Sequence, residues 1–186
     1  MKYQAILATA ILISTSAWAT QPDPLVMESR MAIKAFAGEL KGELQSAMKA
    51  GGPVNAIGVC HTRAPEIAEA INSKGKLNIS RVSLKNRNTG NAPDAWQKAV
   101  LEEFESRITK GETADKIDHA ATVNTANGKE FRYMKAIPTG DICLACHGGN
   151  NSDDVKAKLD KLYPDDKARG FNKGDIRGAF YVSIPQ

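Results

Sequence analysis

Three cysteines, three histidines and two tryptophans are all that the 186 residues hold of these types. So few thiols exclude a disulfide framework, which takes several cysteine pairs. Beyond the N-terminus no run is apolar enough to cross a membrane, which needs about 20 residues. Lysines and acids are interspersed, the formal net charge is +4, and there is no dense basic run. Nucleic-acid binding therefore has no support. No internal repeat or low-complexity tract is visible.

Against this scarcity, two of the cysteines and one histidine stand together, as Cys143-Leu144-Ala145-Cys146-His147. Two thiols three apart with an imidazole directly after form the attachment signal for a c-type haem. On a helical turn, positions i, i+3 and i+4 share one face. Cys143 and Cys146 can then bond two vinyl groups while His147 reaches the iron from the same side. Asp141 is placed to cap the turn, and Gly148-Gly149 to end it. A zinc site would need a second ligand pair, and only Cys60, His61 and His119 remain to supply it. A thioredoxin-like dithiol wants a strand before it and a long helix after it. Here Pro138-Thr139-Gly140 precedes and Gly148-Gly149-Asn150-Asn151 follows. One covalently attached haem c is the expectation.

The N-terminus agrees independently. Lys2 is followed by an almost wholly apolar stretch, Ala5 to Ile13, and by Ala17-Trp18-Ala19. This is the pattern of a secretory signal peptide, cut near Ala19, rather than a retained anchor. Bacterial c-type haem is joined to protein outside the cytoplasm, so a periplasmic location fits both signals. The remainder, 20–186, suits a single domain.

Along the chain, Phe36, Leu40, Leu44 and Met48 recur every fourth residue, with Met31 and Met27 extending the line backward. This spacing predicts a helix from Leu25 to about Lys49, ended by Gly51-Gly52-Pro53. A second helix carries Ile57, Cys60, Ala64, Ile67 and Ile71 on one seam, with His61 about 100° around. Pro65 should kink or restart it. Strands are expected over 77–84, 116–123, 131–137 and 178–184, with an Asn127-Gly128 hairpin signal. Pro93 opens a helix through Trp96, Val100, Phe104 and Ile108, and Gly111 closes it. Ser152 is placed to cap another through Val155, Leu159 and Leu162. Hairpin-paired strands with helices alongside indicate an α+β fold with an antiparallel sheet.

Haem iron takes a second axial partner or keeps an open site. From the residues alone, the candidates are Cys60, His61, Met134 and His119. With Cys143 and Cys146 consumed, Cys60 has no disulfide partner. An unpaired thiol in an oxidising compartment needs an explanation, and metal coordination or simple burial would each supply one. For the haem propionates, Arg87 in its turn-rich loop comes first, with Arg81 and Arg132 behind it. Asn88 and Asn91 read as loop-shaping residues and Trp96 as core.

Several blocks resemble a family of exported c-type haem proteins with a PAS-like sensor fold, which also serves as the input domain of bacterial histidine kinases and chemoreceptors. They are Val59-Cys60 with Ala64-Pro65-Glu66-Ile67-Ala68, Arg81-Val82-Ser83, Arg87-Asn88 with Asn91-Ala92-Pro93-Asp94, Cys143 to Gly148, and Gly174-Asp175-Ile176-Arg177-Gly178-Ala179. The resemblance implies a PAS-like antiparallel sheet of about five strands flanked by helices, with a long N-terminal helix. It also implies His147/Cys60 axial ligation.

The leading expectation is a periplasmic haem protein that senses redox state or a small ligand through an unknown redox or signalling partner. A low-potential electron carrier is the alternative. An enzyme of the peroxidase kind is disfavoured, because two protein ligands leave substrate no place on the iron. The long N-terminal helix is a candidate for homodimer contacts.

Overall fold

The computed structural model describes residues 23–186, so the expected signal peptide lies outside the described residues. Helix α1 (Pro24–Asn72) starts at Asp23, whose carboxylate accepts from the Leu25 N–H at 2.8 Å. It is broken at Gly51 and Gly52. Gly52 has φ +66° and ψ −163°, a region essentially closed to side-chain-bearing residues. The chain reverses there. Arg63 Nη2 stands 3.1 Å from Glu43 Oε1, although 20 residues of straight helix would hold them roughly 30 Å apart. The long N-terminal helix is thus two antiparallel arms.

Pro65 does not break the second arm, which runs through it with helical backbone angles. A proline removes one helical hydrogen bond, whereas reversing the chain takes the backbone freedom of glycine. Met27 and Met31, 47% and 63% exposed, stand off the apolar seam. The line that meets the sheet runs instead from Leu25 and Val26 through Ser29 to Ala32, Ile33 and Phe36.

Four strands form that sheet among the described residues, where the resemblance implied about five: β1 (Asn78–Val82), β2 (Asp118–Thr125), β3 (Gly128–Pro138) and β4 (Ile176–Pro185). All pair antiparallel, in the order β1-β4-β3-β2. The β2–β3 turn is Ala126-Asn127, one residue earlier than the Asn-Gly signal suggests, because Thr125 pairs with Gly128. Helix α2 (Ala95–Thr109) crosses between β1 and β2. It begins two residues after Pro93, where Asp94 and Gln97 exchange bonds of 2.7 and 2.9 Å, a capping box. Helices α3 (Asp141–His147) and α4 (Asp153–Leu162) lie between β3 and β4. Ser152 stands at the head of α4, but its hydroxyl makes no capping bond.

The sheet is covered on both faces. The α1 arms bring Ile33, Phe36 and Ile67 onto Ile79, Phe131, Val182 and Ile184. On the other face, Leu101 and Phe104 of α2 cover Met134, Ala136 and Ala179. Alternation along β4 sends Val182 and Ile184 one way and Ala179 the other. A third cluster joins Ile57 of the second arm to Val155, Leu159 and Tyr163, with Cys146 packed against it. That cluster seats α3 beside α1.

Candidate functional site

The Cys-Leu-Ala-Cys-His segment is α3 itself. The Cys143 N–H bonds the Gly140 carbonyl at 3.0 Å, and the Gly148 N–H closes the turn on the Leu144 carbonyl at 3.0 Å. Gly140, not Asp141, occupies the capping position. Asp141 is one residue inside the helix and points out to Lys173 at 2.8 Å. A strap from the loop before β4 holds the end of α3: the Phe171 N–H donates to the His147 carbonyl at 2.9 Å.

Arg87 locks the same turn from the opposite direction. Its Nη2 donates to the carbonyls of Cys146 at 2.6 Å and Ala168 at 3.0 Å, and its Nε to Asp166 at 3.0 Å. The guanidinium suggested by sequence for a propionate is therefore largely committed to the protein's own acceptors.

His147 Nδ1 lies 2.9 Å from the Ala168 carbonyl. A carbonyl can only accept, so Nδ1 carries the proton and Nε2 keeps its lone pair. Arg177 Nε lies 3.2 and 3.4 Å from the two ring nitrogens; with Nδ1 already donating, only Nε2 can accept from it. Burial holds the imidazole well below its ordinary value, and the cations Arg177 and Arg87 push the same way. His147 is thus neutral at neutral pH and oriented through its far nitrogen, the state in which imidazole ligates a metal.

One cavity of about 550 Å³ takes in Cys143, Cys146 and His147 from α3 and Cys60 from the second α1 arm. Leu40, Leu44 and Met48 of the first arm form an apolar wall. The volume lies within the roughly 300–1,000 Å³ of cofactor and small-molecule sites. All three thiols are free and half-buried. Burial pushes the Cys60 thiol up, while Arg81, Arg87 and Arg177 pull it the other way. The donor set and apolar wall fit a covalently held haem. No three His, Cys, Asp or Glu side chains among the described residues are disposed around one bare metal ion, so the zinc reading lacks a ligand set.

A protein-family model described as "Tll0287-like: Tll0287" matches residues 3–185. The chain belongs to the Tll0287-like family. It is also similar to a solved structure, the crystal structure of the cyanobacterial haem protein Tll0287, at 24% identity and a TM-score of 0.66. That alignment covers 88% of this chain and 97% of the other. At this identity the likeness establishes a shared fold. No curated protein matches.

Among the other sequence candidates of this Tll0287-like chain, His61, Met134, His119 and Arg132 fall away from the cavity, whereas Asn91 lines it and Asn88 lines a smaller one beside it. His61 is exposed and sets its ring edge-on to Tyr163, with centroids 5.2 Å apart. Met134 is fully buried beneath α2 on the far face of the sheet. His119 on β2 stands 3.2 Å from Glu103. Arg132 pairs with Glu130 at 2.6 Å and lies over Trp96, which packs as core. Asn88 shapes its loop, accepting from the Gly90 N–H at 2.9 Å, and the Asn91 carbonyl accepts from Ser83 at 3.1 Å. Arg81 and Cys60 do face the site.

Sequence reasoning did not single out Arg177, Asp166 or Ala168. Arg177 sat inside one of the family-like blocks, the only signal that pointed to it. Asp166 and Ala168 lie in a loop whose contacts with Arg87 and His147 exist only in the folded chain.

Proposed function

We propose that this protein carries one haem c, joined through Cys143 and Cys146 and ligated by His147 and Cys60, and that it senses redox state or a small ligand for a partner protein. The observation that carries the reading is that Cys60 and His147, from separate elements, line the same cavity as the two attachment thiols. The structural relative being a haem protein supports it. When bound, haem supplies one-electron chemistry.

The chain's own groups prepare that site. The Ala168 carbonyl fixes the tautomer of His147 and its ring plane. Burial holds the Cys60 thiol above its ordinary value, and Arg81, Arg87 and Arg177 offset part of that cost to the thiolate. A thiolate ligand stabilises ferric iron, which makes the potential low. With protein ligands on both sides, substrate has no position, so the reading is non-enzymatic.

Sensing is favoured over simple electron carriage by where Cys60 sits. It belongs to the α1 arm that starts at the Gly51–Gly52 break, so gain or loss of its bond would act on a whole helical arm. The signal-like N-terminal sequence supports a periplasmic location for this activity.

In the purified holoprotein, Cys60→Ala should change the ferric absorption and spin-resonance spectra. Unchanged spectra would sink thiolate ligation. Voltammetry at several scan rates should show hysteresis from a slow ligand change; fully reversible waves at every rate would make the protein a carrier.

A further inference from the structure

A second, smaller cavity of about 210 Å³ adjoins the first, and Cys60, His147, Arg81 and Arg177 line both. The two differ in character. Cys143 and Cys146 belong to the larger one alone, with its apolar wall. The smaller adds Ser80 and Asn88 beside Phe36, Ala64 and Pro65, and shares Arg81, Arg87 and Arg177 with the larger.

Of those arginines, only Arg87 has an acid partner, Asp166 at 3.0 Å. Among the described residues no carboxylate stands within ion-pair distance of Arg81 or Arg177. The Arg177 Nη1 donates to Ser83 Oγ and to the Lys85 carbonyl, both at 3.2 Å. Its guanidinium lies 5.3 Å over the Phe171 ring, and that of Arg81 5.6 Å over Phe36. Buried charges are ordinarily paired, because an unpaired one carries its full desolvation cost. Two half-buried guanidiniums without an acid partner, lining one chamber, suit it to an anionic occupant.

We propose that Arg81 and Arg177 receive the two propionate carboxylates of the haem, its thioether edge at α3 and its acid edge in the smaller chamber. This rests on the haem reading above. Haem bears its vinyl groups and its propionates on opposite edges, so fixing the sulfurs at Cys143 and Cys146 directs the acids away from α3. Planar guanidiniums suit carboxylates through paired N–H donors. Arg87 acts differently. Neutralised by Asp166, it holds the Cys146 carbonyl and thereby the attachment turn.

The test uses holoprotein whose haem carries carbon-13 at the propionate carboxylates. Redox-difference infrared spectra and midpoint potentials are compared for the wild type, Arg81→Gln and Arg177→Gln. Each substitution should shift the labelled carboxylate bands and lower the potential, since a cation beside the iron is lost. Arg81→Lys should restore most of the potential. Arg81 is the cleaner arm, because Arg177 also touches His147. If Arg81→Gln does not retain haem, Arg81→Lys carries the test, since altered donor geometry alone should move the labelled bands. Unmoved bands and potential in the Arg81 variants overturn the assignment. So does a wild-type potential that follows added acetate at constant ionic strength while the labelled bands ignore both arginines: the site then binds a free anion. A purified wild type without covalent haem defeats the underlying reading itself, a separate and earlier outcome.

Discussion

Arg87 Nε lies 3.0 Å from Asp166 Oδ1, and the two side chains are only 8% and 1% exposed. From this pair the guanidinium reaches on to the Cys146 carbonyl at 2.6 Å. The turn-rich loop after β1 is thus bound to the Cys143–His147 turn through one arginine. A buried pair of this kind adds little net stability when intact, but losing one partner leaves an uncompensated charge.

Asp166→Asn should therefore destabilise the fold by about 3 kcal/mol, in the range for breaking a buried ion pair. Urea denaturation of wild type and variant measures it. A loss under about 0.5 kcal/mol, the scale of a surface substitution, would mean that the pair does not lock the turn.

The same carboxylate makes stability depend on pH. Burial raises Asp166, but the bonds from Arg87 and the Ala168 N–H outweigh it, and Arg169 adds to them, so it ends below its ordinary value. The folded protein then binds fewer protons than the unfolded chain, whose aspartates titrate at about 3.9. The stabilisation is present above about pH 4 and is lost as pH falls through the folded value. Urea midpoints should fall on acidification below about pH 4, and the fall should be shallower in Asp166→Asn. It should not vanish, because Asp118, held by Tyr133 and Arg30 against the effect of burial, is also depressed. Equal slopes in the two proteins would remove Asp166 from the account.

Gly178→Ala should cost at least about 2 kcal/mol, the scale of backbone strain combined with overpacking. Gly178 has φ +147°, and a Cβ there would stand 2.4 Å from the Val82 carbonyl oxygen. Both residues line the larger cavity, so the ferric spectrum should shift as well. Thermal unfolding and absorption together check this; a variant as stable as wild type would show that β1 and β4 can part freely.

His61→Ala should leave the ferric spectra unchanged, since the ring faces Tyr163 from an exposed position. A new high-spin ferric signal in this variant would hand the sixth position to His61 instead of its neighbour.

Much of this fold was legible because its signals are local. Apolar spacing located both arms of α1 and the face of α2. The Asn127-Gly128 signal found the β2–β3 hairpin to within one residue. Pro65 misled because a proline weakens a helix wherever it stands, while the actual break depends on where the arms must reverse to reach the sheet. Met27 and Met31 continued the helical period but stand on the solvent side of the arm, whose covering face runs through Leu25, Ser29, Ile33 and Phe36.

The sequence by itself determined the Cys143-to-His147 constellation, since Cys143, Cys146 and His147 are brought onto one turn by helical geometry alone. It also determined that one thiol was left over. Which of Cys60 and His61 shares a cavity with His147 was decided by the tertiary structure. Cys60 and His61 are neighbours about 100° apart on one helix, and only the reversal at Gly51–Gly52 and the docking of α3 turn Cys60 inward and leave His61 outside. The same docking decided which arginines are neutralised and which remain unpaired, because Asp166 meets Arg87 only when the loop before β4 closes over α3.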